Sequence, residues 1–233
     1  MYRLAAFACL LLLLYSLATM IQLLVLGGQP ASAAEAFRLL QENRVVGLLR
    51  LDLPTILAMP LYYVVFLALF AALNRTARWQ SVLFALLGFA GVTLCLATPT
   101  ALSLLPLSDK HAAAGTAEAR AALEAAGEAL LASDIWHGTG AFMGALLLQT
   151  GMLVSSMLML SSKEFGKATA WVGVVTHGLD LVHVAATFLL PAASVVLMAV
   201  AGPLYLVWFP LIGLSFLRLE RTCLPNASSP AWT

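Results

Sequence analysis

Six stretches of the chain carry almost nothing but apolar side chains, at residues 4–26, 53–73, 82–102, 138–160, 168–190 and 193–217. Each is close to the roughly 20 residues that carry an α-helix across about 30 Å of hydrocarbon. In that solvent every peptide group must be bonded within its own segment, so runs of this length fold as helices. The pattern predicts an all-α, polytopic membrane bundle, a single integral domain over 1–233 with six transmembrane helices. Only Pro191 separates the last two runs, which predicts an antiparallel hairpin. Arg75, Arg78 and Trp79 mark a tight polar connection between the second and third.

The first run has a second reading. Arg3, an apolar stretch and then Ala31-Ser32-Ala33 resemble a secretory signal with a small-residue cleavage site, which would leave five spans. The run is nearer a full crossing than the roughly 7 to 15 residues of a signal core, which favours the span.

Between the spans, two polar segments keep helical periodicity. Residues 35–50 interleave Phe37, Leu40 and Leu48 with Arg38, Glu42, Arg44 and Arg50, the pattern of a short amphipathic helix at the headgroup boundary. Residues 116–132 open on Thr116 as a cap, carry Glu118 in the first turn and are rich in alanine, leucine and glutamate. Both lie outside the cytoplasm in the expected topology, as a small outer cap.

Composition sharpens the class. With 62% hydrophobic and 10% charged residues and a mean hydropathy of +0.96, a water-soluble fold would have no surface to show. A net charge of +1 leaves no basic patch for nucleic acid, so the lipid bilayer is the expected environment. A second copy or a membrane complex are the candidate protein partners. Cys9 and Cys95 fall in apolar runs and Cys223 follows the last one, a spacing that offers neither a disulfide framework nor a zinc knuckle.

Orientation follows from the basic residues retained at cytoplasmic span ends. Arg3, Arg75, Arg78, Lys163, Lys167, Arg218 and Arg221 collect on one side. Arg38, Arg44, Arg50, Lys110 and Arg120 fall on the other, mostly diluted by acids. The expected location is the cell (plasma) membrane, with both termini cytoplasmic.

One run spends ionisable groups inside this apolar chain. At about 100° per residue, Thr169, Gly173, Thr176, His177, Asp180, His183 and Thr187 share an arc of roughly 120° on the fifth span. A carboxylate at the centre of a spanning helix costs roughly 2.5 to 3.5 kcal/mol, so that arc is expected to face other helices or a wet cavity. Asp180 stands one turn from His177 and His183, within reach of a shared hydrogen bond or proton. On the sixth span, Gly202, Pro203 and Pro210 suggest a helix break beside this site, as in transporters, or a simple kink. Asp52, Pro54, Pro60, Tyr62 and Tyr63 offer another wall. On the fourth span, Gly140, Gly144 and Gly151 form a small-residue stripe where a neighbouring helix can come close. His111, Asp134 and His137 bracket the third connection as weak metal candidates, too few to make a site.

Two stretches carry a resemblance. Leu107-Ser108-Asp109-Lys110-His111-Ala112-Ala113-Ala114 with the alanine-rich segment 118–129 and Gly138-Thr139, and Met159-Leu160-Ser161-Ser162 leading to Phe165-Gly166-Lys167-Ala168-Thr169-Ala170-Trp171-Val172-Gly173, resemble an uncharacterised family of prokaryotic multi-pass membrane proteins. The likeness runs from the second span to the end. The family commonly has an aromatic where this chain has His111, a departure that argues against a shared site there. The resemblance implies an integral helical bundle and assigns no catalytic residue or cofactor.

Three functional classes fit the pattern. The favoured one is a structural or accessory membrane subunit, in which the polar arc locks helices together. A small-solute or proton-linked transporter would use Asp180 as its proton site with His177 and His183 as relays. An intramembrane metal-dependent hydrolase would need His137 to join the fifth span, and the pattern leans away from an enzyme.

Overall fold

The computed structural model of the chain describes residues 1–135 and 137–223, without the side chains of Phe188, Pro191 and Cys223. The Cys223 thiol therefore lies outside the described residues. All regular structure among them is helical: α1 (Tyr2–Val25), α2 (Ala33–Glu42), α3 (Arg44–Arg50), α4 (Leu53–Leu73), α5 (Arg78–Ala97), α6 (Ala101–Ala113), α7 (Ala117–Leu131), α8 (Thr139–Ser161), α9 (Lys167–Leu189) and α10 (Pro191–Cys223). Five described stretches are long and apolar enough to cross a membrane, namely α1, α4, the run Arg78–Ala113 through α5 and α6, α8, and Ala192–Thr222 of α10. They fit a multi-pass protein in a lipid bilayer. The fifth expected span, α9, is a 23-residue helix but is not one of those five.

Three expectations about helix limits are corrected. The third run was expected to continue to Leu102. Instead α5 ends at Ala97 and α6 begins at Ala101, because Pro99 cannot donate to the helical ladder and disfavours helical geometry at Thr98. The stretch between Leu102 and the expected helix at 116–132, for which no element was expected, is thus mostly α6. Residues 35–50 are two helices rather than one. Asn43 stands between them in extended geometry, its amide bonded to Leu39 O and its Oδ1 accepting from Val45 and Val46 N. Lastly, Gly202, Pro203 and Pro210 do not break the final helix, since α10 runs through all three. Each proline removes a single N–H, toward the carbonyl four residues back, and the bonds on either side carry the helix across.

The chain divides into two compact units. One comprises Met1–Leu14, Leu61–Gly88 and Gln149–Thr233; the other comprises Tyr15–Pro60 and Phe89–Leu148. In the first, α9 and α10 form the hairpin that Pro191 sets up. Gly151 of α8 lies against α5 so closely that a Cβ there would meet Phe84 O at 2.8 Å and Gly88 N at 3.0 Å.

In the second unit the same α5–α8 contact is closer still. A Cβ on Gly91 would stand 2.4 Å from Leu148 N and 2.7 Å from Gly144 O, and one on Gly144 would stand 2.8 Å from Cys95 Sγ. A Cβ on Gly140 would meet Thr98 Cγ2 at 2.9 Å. The α8 glycines therefore pack on Gly88 and Gly91 of α5, where only missing side chains let the backbones touch. Beside them, α2, α3, α6 and α7 bury Ala33, Phe37, Leu40, Leu51, Ala101, Leu104 and Leu131 in a core of their own. Ser32 caps α2 by accepting from Glu35 N, and Thr116 caps α7 by accepting from Ala119 N. The Ala31-Ser32-Ala33 run is built into this packing, since Ala33 is fully buried and its N–H donates to Glu128 Oε1 at 2.7 Å.

Candidate functional site

The face of α9 opposite its polar arc is the exposed one. Trp171, Val175, Val182 and Leu189 are open to the surroundings, whereas Thr169, Gly173, Thr176 and His177 are buried and Asp180 is partly buried. The acid turns toward α8 and α10. There the side-chain amide of Gln149 forms a hub: Nε2 donates to Asp180 Oδ2 and to the Tyr205 hydroxyl at 3.0 Å, while Oε1 faces His177 Nδ1 at 2.9 Å. Tyr205 in turn donates to Asp180 Oδ2 at 2.8 Å. One carboxylate, one amide, one phenol and one imidazole thus join three helices.

Around an ionised Asp180, turning the Gln149 amide over would set two acceptors against each other, so Nε2 faces the carboxylate. Its Oε1 can then only accept, which makes His177 Nδ1 the donor and selects that tautomer. Every donor in the chain points toward Asp180. Among the described residues His177 Nε2 has no partner, nor has Trp208 Nε1, and both residues are fully buried. The two rings meet edge to face with centroids 4.5 Å apart, a favourable aromatic geometry.

The expected cluster therefore divides. His177 reaches Asp180 only through Gln149, and no direct bond between an imidazole and the carboxylate forms among the described residues. His183 belongs to a second group at the hairpin turn, where its Nδ1 donates to Ser194 O at 2.9 Å and lies 2.8 Å from Ser194 Oγ. Thr187 ties into that group by donating to His183 O and pairing with Ser194 Oγ at 3.0 Å. Thr176 bonds only back along its own helix, to Val172 O. Tyr62 packs edge-on against Phe209, whose ring lies tilted beside Tyr205.

Sequence reasoning missed Gln149, Tyr205, Trp208 and Ser194. A usable signal existed for the first, because Gln149 is the sole amide or charge in the whole of α8. Interior amides in a membrane helix need partners as carboxylates do.

Of the weak metal candidates, all in the second unit, Asp134 and His137 meet while His111 pairs elsewhere. His111 Nε2 pairs with Glu124 at 2.9 Å and its ring lies on Phe37. Asp134 accepts from His137 N at 2.9 Å, from its ring Nδ1 at 3.0 Å and from Gln29 Nε2. Among the described residues no three His, Cys, Asp or Glu side chains are grouped to hold a metal.

No protein-family model, curated protein or solved structure matches this chain.

Two carboxylates in the second unit have environments that move their proton affinity. Asp52 was expected to flank a site but instead caps α6: it accepts from Thr100 N at 2.5 Å and from Ala101 N at 3.0 Å across the Pro99 break. Burial pushes its pKa up, with the Asp134 charge adding to the rise and the bonds to Thr100 and Ala101 opposing it. Glu35 is held low chiefly by the Ala31 N–H, against the opposing effect of burial, with the Arg50 guanidinium adding to the fall.

Proposed function

We propose that this chain is a structural or accessory membrane subunit, and that the polar arc of α9 fastens α8, α9 and α10 to one another. One observation carries the reading: Asp180 is taken up in hydrogen bonds from Gln149 and Tyr205 on the two neighbouring helices. A carboxylate held in this way through one oxygen has exchanged lipid for protein on that side, which is the structural use of polar groups in membrane helices. Among the described residues, one cleft lies beside the start of α6 and another along α1 and α10.

The location follows as part of the same proposal. Around Phe216 gather Tyr2 of α1 and Phe165 of the loop before α9, which draws Arg3, Lys163, Lys167, Arg218 and Arg221 to one end. By the retention of basic residues, that end and both termini lie in the cytoplasm of a cell-membrane protein.

A proton-linked or small-solute carrier is the second reading, and it rests on Asp180 Oδ1, which makes no hydrogen bond among the described residues. Reconstitution of wild type and Asp180→Asn in liposomes separates the two. For a structural role, proton and solute flux are the same in both, and Asp180→Leu, which removes the acceptor that Asn retains, unfolds at lower temperature. Flux that requires Asp180, with unchanged thermal stability, overturns it.

A further inference from the structure

The outer surface of α1 and α10 carries a groove of about 470 Å³ that the α8–α10 network does not use. Phe7, Leu10 and Leu13 form one wall and Pro210, Leu214 and Leu217 the other. Its floor is where the helices touch, since a Cβ on Gly213 would meet Cys9 Cβ at 3.3 Å.

Both walls end in arginine. On α1, Arg3 precedes Phe7 and Leu10 at spacings of four and seven; on α10, Arg221 follows Leu217 and Leu214 by four and seven, so each sits on the groove-facing stripe of its helix. Arg218, one turn beyond Leu214, is exposed on the same side. The two helix ends are together, because Arg3 Nε lies 3.6 Å from Glu220 Oε1. One carboxylate is thus set against three guanidinium groups, and the Arg3 side chain remains 70% exposed. From Arg3 to Leu13 the wall is about 15 Å long, half of a roughly 30 Å hydrocarbon core.

An apolar channel one leaflet deep with surplus positive charge at its headgroup end has the shape and polarity of one phospholipid. We infer that this seam binds an anionic phospholipid, its acyl chain between α1 and α10 and its phosphate among Arg3, Arg218 and Arg221. The site requires only that α1 and α10 lie in a bilayer, and it is independent of what the Asp180 network does.

Native mass spectrometry of the full chain in detergent tests this, with phosphatidylglycerol and phosphatidylcholine of identical acyl chains as probes. Wild type is expected to retain one phosphatidylglycerol in preference to phosphatidylcholine. Arg221→Gln, which disturbs no ion pair described above, should weaken that retention about fivefold, and adding Arg3→Gln should weaken it about fivefold again. Leu10→Trp, which fills the groove and keeps the charges, should exclude the lipid while the helical circular dichroism is unchanged. Equal retention of the two lipids, or phosphatidylglycerol binding indifferent to all three substitutions, overturns the inference. So does a dimer that closes through this seam and excludes lipid.

Discussion

Replacing Gln149 by Met keeps the length, flexibility and helix propensity of the side chain while deleting its amide. Three hydrogen bonds disappear, to His177, Asp180 and Tyr205. Interhelical hydrogen bonds in membrane proteins average about 0.6 kcal/mol each, with an upper end near 1.7. Three average bonds give about 2 kcal/mol, and leaving the buried His177 Nδ1 without an acceptor adds about 1 kcal/mol or more. Asp180 keeps its bond from Tyr205, so the carboxylate itself is not stranded. A loss of about 3 kcal/mol is expected, which for a chain of this size is about 6 to 12 °C in unfolding temperature. Thermal unfolding followed by circular dichroism in nanodiscs reads this directly. A shift under about 2 °C would mean that the amide does not join these helices, and the structural role would lose its basis.

Other consequences can be checked in the same preparation. Burial makes the folded chain hold the Asp52 proton more tightly than the unfolded chain does. Stability therefore falls as pH rises from the ordinary carboxyl range through the raised folded value, and Asp52→Asn should flatten that slope. Glu35 has the opposite sign: its contribution is present above the ordinary carboxyl range and is lost as pH falls through its lowered folded value. Urea titrations from pH 3 to pH 8 should lose that acid-side decline in Glu35→Gln. Gly91→Ala forces a methyl group to within 2.4 Å of Leu148 N and should lower stability by about 1 to 3 kcal/mol or more. Gly178→Ala, with nothing within 4 Å of the new methyl, should be neutral or raise stability by up to about 1 kcal/mol; equal effects of the two would contradict the α5–α8 contact.

The helical class was legible because lipid leaves the backbone few options, so run length alone calls for helices. Asp180 was legible for a similar reason, as the least lipid-tolerant group in a long apolar run. Its partners were not. Gln149 and Tyr205 lie 31 and 25 residues away in sequence, and the packing that brings them in depends on α8, α9 and α10 assembling. Hydropathy also said nothing of the break at Pro99, because the run from Val82 to Leu102 is apolar on both sides of it; what stabilises the break is Asp52, 48 residues from Thr100. Pro203 and Pro210 misled in the other direction. A proline marks a missing donor, and whether the helix stops there depends on neighbouring turns that local sequence does not describe.

A double-mutant cycle on Asp180→Ala and Tyr205→Phe tests most directly whether the acid of α9 is fastened to α10. Removing either partner of a bond that joins the two helices makes removing the other less costly. The unfolding free energies of the single and double variants should therefore depart from additivity by about 0.6 kcal/mol or more. Additivity to within about 0.3 kcal/mol would show that the carboxylate and the phenol do not interact, and that the helices are held by something else.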